Sequence, residues 1–178
     1  KLKNEMINFK DLIFKIPSSE KVFFDNFENL LKVSDIKFNT LNGYPIVFTK
    51  KQLRPEEYQI KIEKNLITIH YSDYGGKFYS IISLIQLLNY YKLSLPLGLI
   101  QDSPALNWRG MHLDCARQFY TINEIKRLLD YMSFFKLNRF HWHLTDNEAW
   151  RVELECYPNL TKVGAFRGYN EIVPPFYG

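Results

Sequence analysis

Arg117 and Asp146 each stand just past a short apolar run, residues 111–116 and 139–144. A guanidinium in such a place can donate paired hydrogen bonds to two adjacent sugar hydroxyls or to a carboxylate. It can equally form a structural ion pair with Asp114 or Asp146. A carboxylate there can orient a His or a general acid, or it can cap the turn within Leu144-Thr145-Asp146-Asn147. His141 and His143 alternate along an extended run, so both point to one face. That pattern suits two ligands of a metal-dependent barrel hydrolase, or two hydrogen-bonded core histidines. No His follows His143, and His112 and His70 are placed poorly to complete a site, so no metal is expected.

The elements that must hold these residues read as strand, helix, strand. Residues 122–135 form a helix in which Ile125, Leu128, Leu129 and Met132 make a 3.6-residue stripe that packs on a sheet. Thr121 and Glu124 form a capping box at its start. Strands joined by such a crossover run parallel. Polar residues gathered at their carboxyl ends are the pattern of a parallel α/β enzyme whose site lies there.

Upstream, the chain reads as α+β. Ser19 caps a helix with Phe23, Phe27, Leu30 and Leu31 on one face. Residues 45–50, 58–62 and 66–71 read as strands, the last two joined as a hairpin. Gly75-Gly76 breaks the chain before a second helix, residues 78–89, which buries Ile81, Leu84, Ile85 and Leu88. Near Asp102-Ser103-Pro104 the basic residues change from almost all Lys to many Arg, the better fork for binding. The expected division is a small α+β domain, 1–103, followed by 104–178.

The totals exclude several functions. With 46% hydrophobic and 24% charged residues, the 178-residue chain has an ordinary globular composition. A net charge of +4, from 23 basic and 19 acidic residues, is too balanced for a nucleic-acid partner. No apolar run approaches the ~20 residues of a membrane span, and no signal-peptide pattern opens the sequence, so no compartment follows from it. Of two Cys, Cys115 lies in an apolar run and reads as a reduced core residue.

Over about sixty residues the chain resembles glycoside hydrolase family 20, the β-N-acetylhexosaminidases. The matching residues are Trp108-Arg109-Gly110, Leu113-Asp114-x-x-Arg117, Lys136-Leu137-Asn138, His141-Trp142-His143-Leu144-x-Asp146, Trp150-Arg151, and Tyr157-Pro158-x-Leu160-Thr161-x-Val163-Gly164-Ala165. Residues 58–88 resemble the small domain that precedes the family's barrel. The resemblance implies a (βα)8 barrel that removes terminal β-linked N-acetylglucosamine or N-acetylgalactosamine from glycans, with no cofactor. In that family the substrate's own acetamido oxygen is the nucleophile, and a Glu serves as acid and then base. Carried over by position, Arg117 grips the 3- and 4-hydroxyls of the sugar and Asp146 supports the catalytic Glu through a later His. Asp114 helps hold Arg117, and His141 and His143 pack and hydrogen-bond. Gln118 and Asn147 depart from the usual His and acidic residue.

The family's adjacent Asp-Glu pair has no counterpart, because no Asp-Glu dipeptide occurs and Glu56-Glu57 falls in the first domain. A closed barrel takes ~250 residues. The expectation is therefore an accessory domain plus the first β-α-β portion of an incomplete barrel, inactive alone and requiring the remainder. Two other readings stand beside it: a metal-dependent barrel hydrolase using His141 and His143, and a non-catalytic carbohydrate- or protein-interaction fragment.

Overall fold

The computed structural model describes residues 2–9, 13–34, 36–167 and 176–177. The chain divides into two compact units, Lys1–Asn107 and Trp108–Gly178.

The first unit is a seven-stranded sheet in which Tyr58–Ile62 and Ile67–Tyr71 form the expected antiparallel hairpin. Their alternation sets the faces: Tyr58, Ile60, Ile62, Ile67 and Ile69 are buried, while Gln59, Lys61 and Thr68 are not. A long helix, Tyr74–Tyr90, contributes Ile81, Leu84, Ile85 and Leu88 to the same core. This helix begins earlier than the sequence suggests. Asp73 caps it, its carboxylate accepting from the Gly76 amide at 2.8 Å, so Gly75-Gly76 lies inside the first turn and breaks nothing. A side chain at Gly76 would meet the Glu57 carbonyl oxygen at 2.6 Å, so Gly lets the helix start sit close to the strand.

The helix expected from Ser19 is instead a 3-10 turn, Ser18–Glu20, and two short helices, Lys21–Asp25 and Glu28–Ser34. Ser19 caps neither. The break falls at Asn26, whose side-chain amide donates to the carbonyls of Val22 and Phe23 at 3.3 and 3.0 Å and so competes with the helix ladder.

Besides Tyr44–Lys50, the sheet holds Leu2–Asn8, Ile13–Lys15, Lys37–Asn39 and Ser94–Asp102, none of which the sequence pattern announced. Ser94–Asp102 carries Pro96 and Gly98, which weaken any strand reading. It is nonetheless internal, between Leu2–Asn8 and Tyr58–Ile62: Pro96 stands opposite Met6 on one side, and on the other the pairing with Tyr58–Ile62 runs only from Gly98 to Asp102, so Pro96 is not asked to donate there.

In the second unit, β1 (Gly110–Asp114) and β2 (Arg139–His143) run parallel, joined by a helix at Ile122–Phe134. The capping box forms as expected: the Thr121 hydroxyl accepts from the Glu124 amide, and the Glu124 carboxylate accepts from the Thr121 amide at 2.7 Å. At the other end Lys136 takes a left-handed φ of 58°, and the Leu137 amide donates back to the Met132 carbonyl at 2.8 Å. The Asn138 side-chain oxygen then accepts from the Arg109 amide at 3.0 Å, while the Asn138 amide donates to the Arg109 carbonyl at 2.8 Å. The Lys-Leu-Asn step thus aligns the starts of the two strands. Among the described residues no helix is long and apolar enough to cross a membrane.

Candidate active site

Register places the candidate residues. Leu113 pairs with Trp142, and Leu113 lines a cleft with Leu128 and Tyr131 of the crossover helix, so these residues share the helix-facing side of the strands. His112 pairs with His141 and Asp114 with His143, which puts all four polar side chains on the opposite face. The Cys115 amide donates to the His143 carbonyl at 2.8 Å and carries the pairing one residue past the strand ends. Cys115 itself is buried and reduced, with its sulfur accepting from the Trp142 indole at 3.1 Å.

Arg117 emerges at this carboxyl end. Its guanidinium pairs with the Asp114 carboxylate and lies 3.5 Å from that of Glu148. Asp114 also accepts from the backbone amides of Ala116 and Arg117, at 3.0 and 3.1 Å. Burial pulls the Asp114 carboxyl upward, but the Arg117 guanidinium and these two amides together outweigh it and hold the group at about 2. Arg117 is pushed up in turn, first by Asp114 and also by the charges of Glu148 and Asp146. Its side chain remains 59% exposed.

Asp146 closes a tight turn, its amide donating to the Ala149 carbonyl at 3.1 Å. One carboxylate oxygen accepts from the Asn147 amide at 2.7 Å, and the other lies 3.1 Å from His143 Nε2. The Asn147 amide is the largest influence lowering the Asp146 carboxyl, with the His143 contact and the Arg117 charge acting in the same direction. Asp146 therefore both caps a turn and orients a His, the two roles the sequence left open.

One expectation needs correction. Sequence spacing places His112 poorly for joining His141 and His143, yet the strand register sets its ring 4.6 Å from that of His141 and 5.8 Å from that of His143. Sequence spacing could not reveal this, because His112 and His141 lie on different strands. Sequence reasoning also missed Glu148, whose signal was its position two residues past Asp146 in the same turn. It missed the placement of Arg151 too, which donates to the carbonyls of Cys115 and Ala165 at 2.9 and 2.8 Å and ties the segment after the turn to the end of β1.

The arrangement presents a planar cation steadied by carboxylates, beside a carboxylate that holds an imidazole. It can bind vicinal hydroxyls and support a proton-transferring group. Residues 17–103 match Glycosyl hydrolase family 20, domain 2, and residues 106–177 match Glycosyl hydrolase family 20, catalytic domain. A beta-hexosaminidase of Vibrio furnissii is 37% identical over 134 residues, covering 74% of this chain and 22% of that protein. A chitooligosaccharidolytic beta-N-acetylglucosaminidase of Bombyx mori is 49% identical over 67 residues, 38% of this chain and 11% of its own length. The crystal structure of a GH20 exo beta-N-acetylglucosaminidase from Vibrio harveyi, in complex with N-acetylglucosamine, matches at a TM-score of 0.80 and 31% identity. It covers 100% of this chain, which covers 29% of it. The chain thus spans less than a third of the length of each of these three proteins. An α/β unit matching domain 2, followed by parallel strands matching the start of the catalytic domain, place it: the chain belongs to glycosyl hydrolase family 20.

Proposed function

We propose that these residues serve a β-N-acetylhexosaminidase as its domain 2 and the opening of a (βα)8 catalytic barrel, acting on glycans that end in β-linked N-acetylglucosamine or N-acetylgalactosamine. The observation that carries this reading is the convergence of Arg117 and Asp146 at one end of two parallel strands, close enough for each to shift the other's ionisation. The activities named for the Vibrio relatives support it.

In this reading Arg117 donates to the 3- and 4-hydroxyls of the terminal sugar. Asp114 and Glu148 flank its guanidinium before substrate arrives, so little ordering is left for binding to impose. The acetamido oxygen of the substrate attacks the anomeric carbon as a Glu protonates the leaving oxygen. Water then opens the oxazolinium intermediate with the same Glu as base, and the configuration is retained. Asp146 supports that Glu through a His. A carboxylate accepts about four hydrogen bonds, so its contacts to Asn147 and His143 leave capacity for another imidazole. The Glu, its neighbouring Asp and that His come from residues outside the 178, so the chain alone is inert.

The test is kcat/KM on an aryl N-acetyl-β-glucosaminide, measured on this chain continued through the rest of the barrel. Arg117→Ala lowers it by about 30- to 1000-fold, the loss of charge-assisted hydrogen bonds worth about 2–4 kcal/mol in the transition state. A value within about threefold of wild type removes Arg117 from the sugar. Turnover by the 178-residue chain itself would overturn the division of labour.

A further inference from the structure

The polar face of β1 and β2 holds a second cluster, which the sugar chemistry does not use. His112, His141 and His143 each offer a ring nitrogen, and the three nitrogens lie within 4.8 Å of one another. We propose that they form a binding site for one divalent transition-metal cation of the zinc, cobalt or nickel class.

Three observations support it. The ligand set is all imidazole, which suits these borderline cations rather than magnesium or calcium. The geometry is near what coordination demands. Zinc–nitrogen bonds of about 2.0–2.1 Å put two nitrogens on one tetrahedral ion about 3.3 Å apart, so the nitrogens must close by about 1.5 Å, within reach of small side-chain rotations. Finally, His143 already has the outer partner that metal-bound histidines use. His143 Nε2 lies 3.1 Å from an Asp146 carboxylate oxygen, a contact that steadies the orientation of the ring. Three protein ligands leave the remaining coordination positions to water, as in an open tetrahedral site.

This inference does not depend on the hydrolase reading, and its test involves no turnover. Tag-free 178-residue chain is titrated with Zn2+ by calorimetry and with Co2+ by visible absorption. One cation per chain is expected, with a cobalt spectrum of low-coordinate intensity. His112→Gln weakens Zn2+ binding by about tenfold or more, and Asp146→Asn by about tenfold through the loosened His143 ring. His70→Gln, in the other unit, leaves binding unchanged, and circular dichroism of each variant matches wild type. Less than half an equivalent bound would overturn the site. So would affinity that survives His112→Gln within about threefold, or equal losses in His112→Gln and His70→Gln, which would mark loose surface binding.

Discussion

In the first unit Ile60, Ile69, Ile81 and Leu84 are sealed between sheet and helix, each with no exposed surface. In the second, Trp108 and Ile122 stand 71% exposed, Phe135 68% and Trp142 46%. The hydrophobic residues it buries, among those described, are Cys115, Ala116, Ile125, Met132, Ala149 and Ala165, most of them small. A seven-stranded sheet under a 17-residue helix closes a core from its own residues. Two strands and a crossover cannot, and apolar surface left open at this density is what proteins keep for packing against something else. Under the proposed function, the other strands and helices of the barrel cover it. The residues with chemistry to do all lie in the unit that is less able to support itself. Their geometry therefore rests on hydrogen bonds such as Arg109–Asn138, Arg151–Cys115 and Asp146–Asn147 more than on burial.

The sharpest way to break this comparison is to cut one apolar side chain from each unit. Leu84→Ala should cost about 2–5 kcal/mol of unfolding free energy, the loss of buried methyls plus the cavity left behind. Ile122→Ala, on an exposed helix position, should change it by less than about 0.5 kcal/mol. Denaturant unfolding followed by circular dichroism measures both, and equal losses would mean the second unit has a core of its own. A smaller effect comes from the capping box. Thr121→Ala removes the acceptor for the Glu124 amide and should cost about 1 kcal/mol, seen as faster amide exchange confined to the first turn of Ile122–Phe134. Exchange that quickens as much in Tyr74–Tyr90 would show that the units do not respond separately.

The smallest effect is electrostatic. The Asp114 carboxyl lies at about 2 in the folded chain, below the ~3.9 of an unfolded Asp. Its contribution to stability is therefore complete above about pH 4 and is lost as pH falls toward 2. Carboxyl carbon shifts recorded from pH 6 downward should show Asp114 titrating well below the usual carboxylate range, and Arg117→Ala should move its midpoint up. A midpoint near 4 in the wild type would dissolve the Asp114–Arg117 pair.

What could be read without coordinates follows from how far each signal reaches along the chain. The capping box at Thr121, the alternation in Tyr58–Ile62 and Ile67–Tyr71, and the buried stripe of Ile81, Leu84, Ile85 and Leu88 are patterns within a few residues. Local hydrogen bonding and side-chain period specify them directly. So are the fixed residues around Arg117 and Asp146 that carried the family resemblance. Even locally the reading failed where a side chain competed with the backbone, as Asn26 does, or where a cap lay ahead of a glycine pair, as Asp73 does. Short strands such as Ile13–Lys15 and Lys37–Asn39 were invisible, because three residues make no period and only their neighbours' hydrogen bonds define them. The meeting of His112 with His141 and His143 was decided by tertiary structure alone, and so was the approach of Glu148 to Arg117. Both join residues on separate segments, and strand register and turn closure, set by packing across the whole unit, determine which side chains meet.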